Sequence, residues 1–75
     1  MAVIRSLKLG VSSVREHQTE VDATYQFVDS HDGTRLLHLA TYGSDSRKSE
    51  PKVSQVIQLD RQFALELAAI IAREF

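Results

Sequence analysis

Polar and apolar residues alternate through much of the chain up to residue 59, and helical spacing then takes over. Period-two alternation marks a strand with one face buried. It predicts strands over residues 2–11, 21–29, 34–42 and 52–59. In the first, Val3, Leu7, Leu9 and Val11 point one way. In the second, Tyr25 and Phe27 face one side with Val21 and Ala23, while Asp22, Thr24 and Gln26 face the other. In the third, Leu37 and Leu39 oppose Leu36, His38, Ala40 and Tyr42. In the fourth, Val53, Ile57 and Leu59 oppose Ser54, Val56 and Gln58. The stretch DSHDG at 29–33 reads as a hairpin loop, because Asp32-Gly33 suits the positive φ that such turns require. The stretch GSDSRKSEP at 43–51 is a turn-rich loop. Asp60 is a good N-cap, its carboxylate accepting from free amides of a first helical turn, and the helix runs over 61–75.

Strands joined in sequence by short connections form an antiparallel meander most simply. The expected fold is therefore α+β, a four-stranded antiparallel meander followed by one C-terminal helix packed on one face (ββββα), in a single domain over 1–75. The apolar face must take the helix, with Phe27, Leu39 and Ile57 beneath it. The other face collects Ser6, Lys8, Thr24, Gln26, His38, Tyr42, Ser54 and Gln58, and stays open.

The helix is apolar over too much of its circumference for one sheet to cover. Phe63, Leu67 and Ile70 share one stripe; Ala64, Ala68, Ile71 and Phe75 form a second. A helix this apolar is buried on more than one side. The simplest partner is a second copy of the chain. A homodimer with Leu67, Ile70, Ile71 and Phe75 near its interface is expected.

Composition narrows the class. A chain of 75 residues builds one modest core, and domains this small often rely on disulfides, metals or oligomerisation. Cysteine is absent, which removes disulfides and thiolate zinc sites and suits a reducing cytoplasm. No apolar run approaches the roughly 20 residues that span a bilayer, and residues 1–10 lack a signal-peptide core. A cytoplasmic protein with no membrane partner is expected. The net charge of −1 points to no partner. Its distribution is uneven: residues 1–15 carry Arg5, Lys8 and Arg15 with no acid, and 16–32 carry five acids with no Lys or Arg. Folding can gather the basic segments on one surface, or the charge is ordinary mixed surface.

The chain carries no phosphate-binding glycine loop, nucleophile elbow or metalloprotease histidine pair. It reads as non-enzymatic, with no cofactor and no metal site. His38 is a hydrogen-bonded surface histidine or part of a binding face. Tyr42 packs a strand end or stacks an unpaired base, and Arg47, Lys48 and Lys52 solubilise a loop or contact phosphates.

From Leu36 onward, the stretch LLHLATYGSDSRKSEPKVSQVIQLDRQFALELAAII resembles the single-stranded-DNA-binding domain of the positive-cofactor-four transcriptional coactivator family and its small bacterial relatives. The likeness lies in a hydrophobic strand ending in an aromatic residue, Tyr42, then a polar loop with Ser44, Asp45, Arg47 and Lys48. Ile57, Gln58, Leu59 and Asp60 then lead into an amphipathic helix. The resemblance implies a dimer whose curved sheets bind single strands. Lys8, Arg47, Lys48 and Lys52 are the expected phosphate contacts and Tyr42 the stacking ring. Gln26, His38, Ser54 and Gln58 are the expected hydrogen-bonding groups. The preferred function is single-stranded DNA or RNA binding. The alternatives are a protein-interaction module using the sheet or its edge, and an accessory subunit docking through its apolar helix.

Overall fold

The computed structural model describes residues 1–43 and 52–75. Five elements follow one another: β1 (Ala2–Val3), β2 (Ala23–Asp29), β3 (Arg35–Tyr42), β4 (Val53–Leu59) and α1 (Arg61–Glu74). The strands form one sheet in the order β1-β4-β3-β2, and α1 touches β3 and β4. The α+β class is the one that the alternation predicts, and β2, β3 and β4 form the expected antiparallel meander.

The first strand departs from expectation twice. It is two residues long, not ten, and it pairs in parallel with β4 through Ala2–Ile57 and Val3–Gln58. Parallel neighbours have no tight hairpin to set their register. The Ile4 amide still donates to the Gln58 carbonyl at 2.8 Å, and the ladder ends there. Leu9 and Val11 lie exposed. Their alternation describes an amphipathic segment, but a strand also needs an edge to pair with.

Directly opposed residues share a face, so the register sorts the side chains into cross-strand rows. One face carries the rows Thr24–Ala40–Val56 and Gln26–His38–Gln58. The other carries Tyr25–Leu39–Ile57 and Phe27–Leu37–Leu59. Near the far end of β3 the register slips: Thr41 opposes Gln55 while Tyr42 opposes Val53. Ser54 is therefore the extra residue of a bulge, and Val53 joins Tyr42 instead of keeping the parity of Ile57.

Burial corrects the expected faces. The more polar face, expected to stay open, has a buried centre in Ala40 and Val56, at 2% and 4% exposure, and only its β2 side, with Thr24 and Gln26, is exposed. On the apolar face Leu59 is buried and Leu37 and Thr41 are half-buried. The first turns of α1 stand beside this row: Ala64 and Leu65 line a groove of about 240 Å³ with Phe27, Leu37 and Leu59. Tyr25 is 73% exposed and Phe27 55%, and Leu39 and Ile57 are exposed as well. Phe27, Leu39 and Ile57 are thus not sealed beneath the helix.

The helix starts as predicted. Asp60 holds an extended backbone (φ −77°, ψ 177°) and its carboxylate accepts from the Phe63 amide at 3.0 Å. Phe63, Ala64, Leu67 and Ile70 form the half-buried stripe, while Leu65, Ile71 and Phe75 are exposed. Two of the four residues expected at a dimer interface, Leu67 and Ile70, are therefore partly covered within the chain itself. Among the described residues no helix is long and apolar enough to cross a membrane.

Candidate nucleic-acid interface

The sheet ladder draws three of the expected site residues into one line. Gln26 on β2 opposes His38 on β3, which opposes Gln58 on β4. An amide, an imidazole and an amide thus cross the three strands side by side. Gln58 Nε2 donates to His38 Nδ1 at 2.8 Å, which leaves the ring proton of this tautomer on Nε2. His38 and Gln58 are half-buried and Gln26 is exposed, so the row opens progressively toward the β2 edge.

Tyr42 lies two rows away on the same face of β3. Its hydroxyl shares a hydrogen bond of 3.2 Å with Thr24 Oγ1 across the β2–β3 ladder. This contact ties the half-buried ring to β2. Thr24 is thereby an anchor for the candidate stacking residue. Lys52 follows in space, because its carbonyl accepts the Gly43 amide at 3.0 Å, one residue beyond Tyr42. Lys52 is exposed, but it lies one position beyond the Tyr42–Val53 pair, so alternation sets its side chain on the opposite face from Tyr42.

The remaining expected residues disperse. Ser54 is exposed in the bulge, outside the paired rows. Lys8 is exposed in the irregular segment after β1 and belongs to no row of the sheet. Arg47 and Lys48 lie outside the described residues. Among the described residues no group of His, Asp or Glu is placed to hold a metal ion.

Alternation places Tyr25 and Phe27 on the face that takes the helix, but both lie at the surface of an edge strand. The Arg35 guanidinium sits 5.2 Å from the Phe27 ring centroid and 3.9 Å from the Asp29 carboxylate. A cation over an exposed ring contributes roughly 0.5–1 kcal/mol. The missing signal was strand order: the same alternation describes a covered strand and an edge strand.

No protein-family model, no curated protein and no solved structure matches the chain.

Proposed function

We propose that this chain is a non-enzymatic, cytoplasmic module that binds single-stranded nucleic acid on the Gln26–His38–Gln58 face and works as a homodimer. The observation that supports the reading is the amide–imidazole–amide row on the same face as a tethered tyrosine, open on its β2 side where Thr24 and Gln26 are exposed, while Ala40 and Val56 between the two are buried. Amide and imidazole groups hydrogen-bond the edges of unpaired bases, and an aromatic ring stacks on their faces. Lys52 and Lys8 supply charge for phosphates, joined by Arg47 and Lys48 of the following loop. The family resemblance carried by residues 36–71 supports the same reading.

A second reading is favoured by the exposed apolar groups. Tyr25, Phe27, Leu39 and Ile57 on the sheet, and Ile71 and Phe75 on the helix, suit a protein partner.

The deciding experiment is a fluorescence-anisotropy titration with single-stranded and duplex oligonucleotides at two salt concentrations. Single strands should bind more tightly, and affinity should fall with salt. Tyr42→Ala should weaken binding by roughly 1–3 kcal/mol with an unchanged salt slope. Replacing Arg47 and Lys48 with Ala should flatten the slope by up to roughly 0.7 per lost phosphate contact. No binding by the wild type at low salt selects the protein-interaction reading, and equal binding of duplex reduces the effect to nonspecific electrostatics.

A further inference from the structure

β2 is an edge strand: it pairs with β3 along all seven of its residues, and among the described residues no strand lies on its other side. The Tyr42 amide donates to the Asp22 carbonyl at 3.0 Å, and the Ser30 amide donates to the Thr34 carbonyl at 2.7 Å. The register between these points is unbroken. Hydrogen-bonded and non-bonded residues alternate along an antiparallel strand. The even-numbered residues of β2 therefore spend their backbone groups on β3. The amides and carbonyls of Ala23, Tyr25, Phe27 and Asp29 point outward.

Natural edges are usually blunted by lysine, proline or a bulge. Ala23–Asp29 contains none of these, and its one charge, Asp29, is answered by Arg35 at 3.9 Å. The strand is exposed throughout and carries two aromatic rings.

We propose that this edge seats a second copy of the chain, β2 against β2, antiparallel about a twofold axis at Gln26. The choice of occupant follows from the strand's self-complementarity. Outward-pointing residues must meet outward-pointing residues, and centring on Gln26 alone pairs the whole strand with the whole strand. Tyr25 then opposes the partner's Phe27, and the same contact repeats across the axis. Asp29 opposes the partner's Ala23, so no acid faces an acid. Aromatic cross-strand pairs are among the stabilising ones. The two rings most exposed on the sheet are covered by each other's counterparts.

The pairing also completes the candidate site, an extension that rests on the proposed nucleic-acid reading. A twofold axis perpendicular to a sheet keeps like faces on the same side. Gln26 meets the partner's Gln26, and the row Gln58–His38–Gln26 runs on through the partner's Gln26, His38 and Gln58. The exposed β2 sides of the two faces then adjoin as one symmetric surface across the axis.

Sedimentation without nucleic acid tests the assembly apart from the binding reading. The wild type should be a dimer. A Tyr25→Lys/Phe27→Lys variant and a Tyr25→Glu/Phe27→Glu variant should each be monomeric, since each sets like charges opposite one another. Mixed one to one, they should restore the dimer. Gln26→Cys gives a further readout, because the chain has no other cysteine. Residue 26 would meet its own copy at a non-bonded position, where the roughly 4.5 Å Cα separation permits a disulfide. Oxidation should crosslink that variant fully and leave Thr24→Cys largely uncrosslinked. A monomeric wild type, folded variants whose mixture stays monomeric, or no crosslink at Cys in place of Gln26 overturns the proposal. So does a dimer that survives the edge charges and dissolves on Ile71→Asp, which would seat the partner on α1. Dimerisation without nucleic-acid binding would leave this interface standing and remove only the site it completes.

Discussion

At the residue scale, the β2–β3 hairpin is the most fully determined part of the chain. Gly33 adopts φ +87°, and its amide donates to the Ser30 carbonyl at 3.0 Å. A Cβ added there would meet nothing within 4 Å. Gly33→Ala should therefore cost only the backbone term, roughly 1–2 kcal/mol, measurable by urea unfolding. The neighbouring Asp32 carboxylate accepts from the Ser30 hydroxyl and from the Thr34 amide, the latter at 3.0 Å. The Ser30 contact first, and the Thr34 bonds after it, hold its pKa at about 2 against an ordinary 3.8. A depressed carboxylate stabilises the fold above its unfolded pKa and loses that contribution as pH falls through the folded one. The hairpin should therefore weaken between pH 4 and pH 2, and Asp32→Asn should remove that part of the acid response. Carboxyl chemical shifts followed through an acid titration would reveal an Asp32 that titrates normally, the outcome against this account.

At the element scale, the two faces of the sheet differ in what truncation should cost. Leu59 is 2% exposed, so Leu59→Ala should cost roughly 2–5 kcal/mol. Phe27, more than half exposed, should cost distinctly less when both variants are compared by thermal unfolding at low protein concentration. Equal losses would mean that the apolar face is sealed within one chain. The last three strands and the helix were legible because each carries its own periodicity and its own stop: Gly33 at the hairpin, Asp60 at the helix. β1 was not, since its length is set by how much of β4's edge it meets. The bulge at Ser54 escaped for a related reason: strand parity assumes an unbroken ladder, and the slip opposite Tyr42 exists only in the pairing.

At the scale of the whole molecule, the chain is broad and thin, 39 by 37 by 19 Å, and encloses little. Among the described residues only Ala40, Val56 and Leu59 form a buried hydrophobic core. That sparseness explains which part of the site could be read in advance. The Gln26–His38–Gln58 row follows from parity within three neighbouring strands. The openness of Tyr25 and Phe27 depends on strand order, which alternation does not encode. The order has a further consequence, in time. β2, β3 and β4 meet through short connections and can assemble as soon as each follows the last. β1 leaves the ribosome ahead of all three, yet its partner, the stretch around Ile57 and Gln58, is made after the rest of the sheet. The earliest strand is thus the last to dock. Until then the nascent chain carries Ala2 and Val3 unpaired, and this two-residue strand, held at one edge, is the natural place for the native sheet to open first.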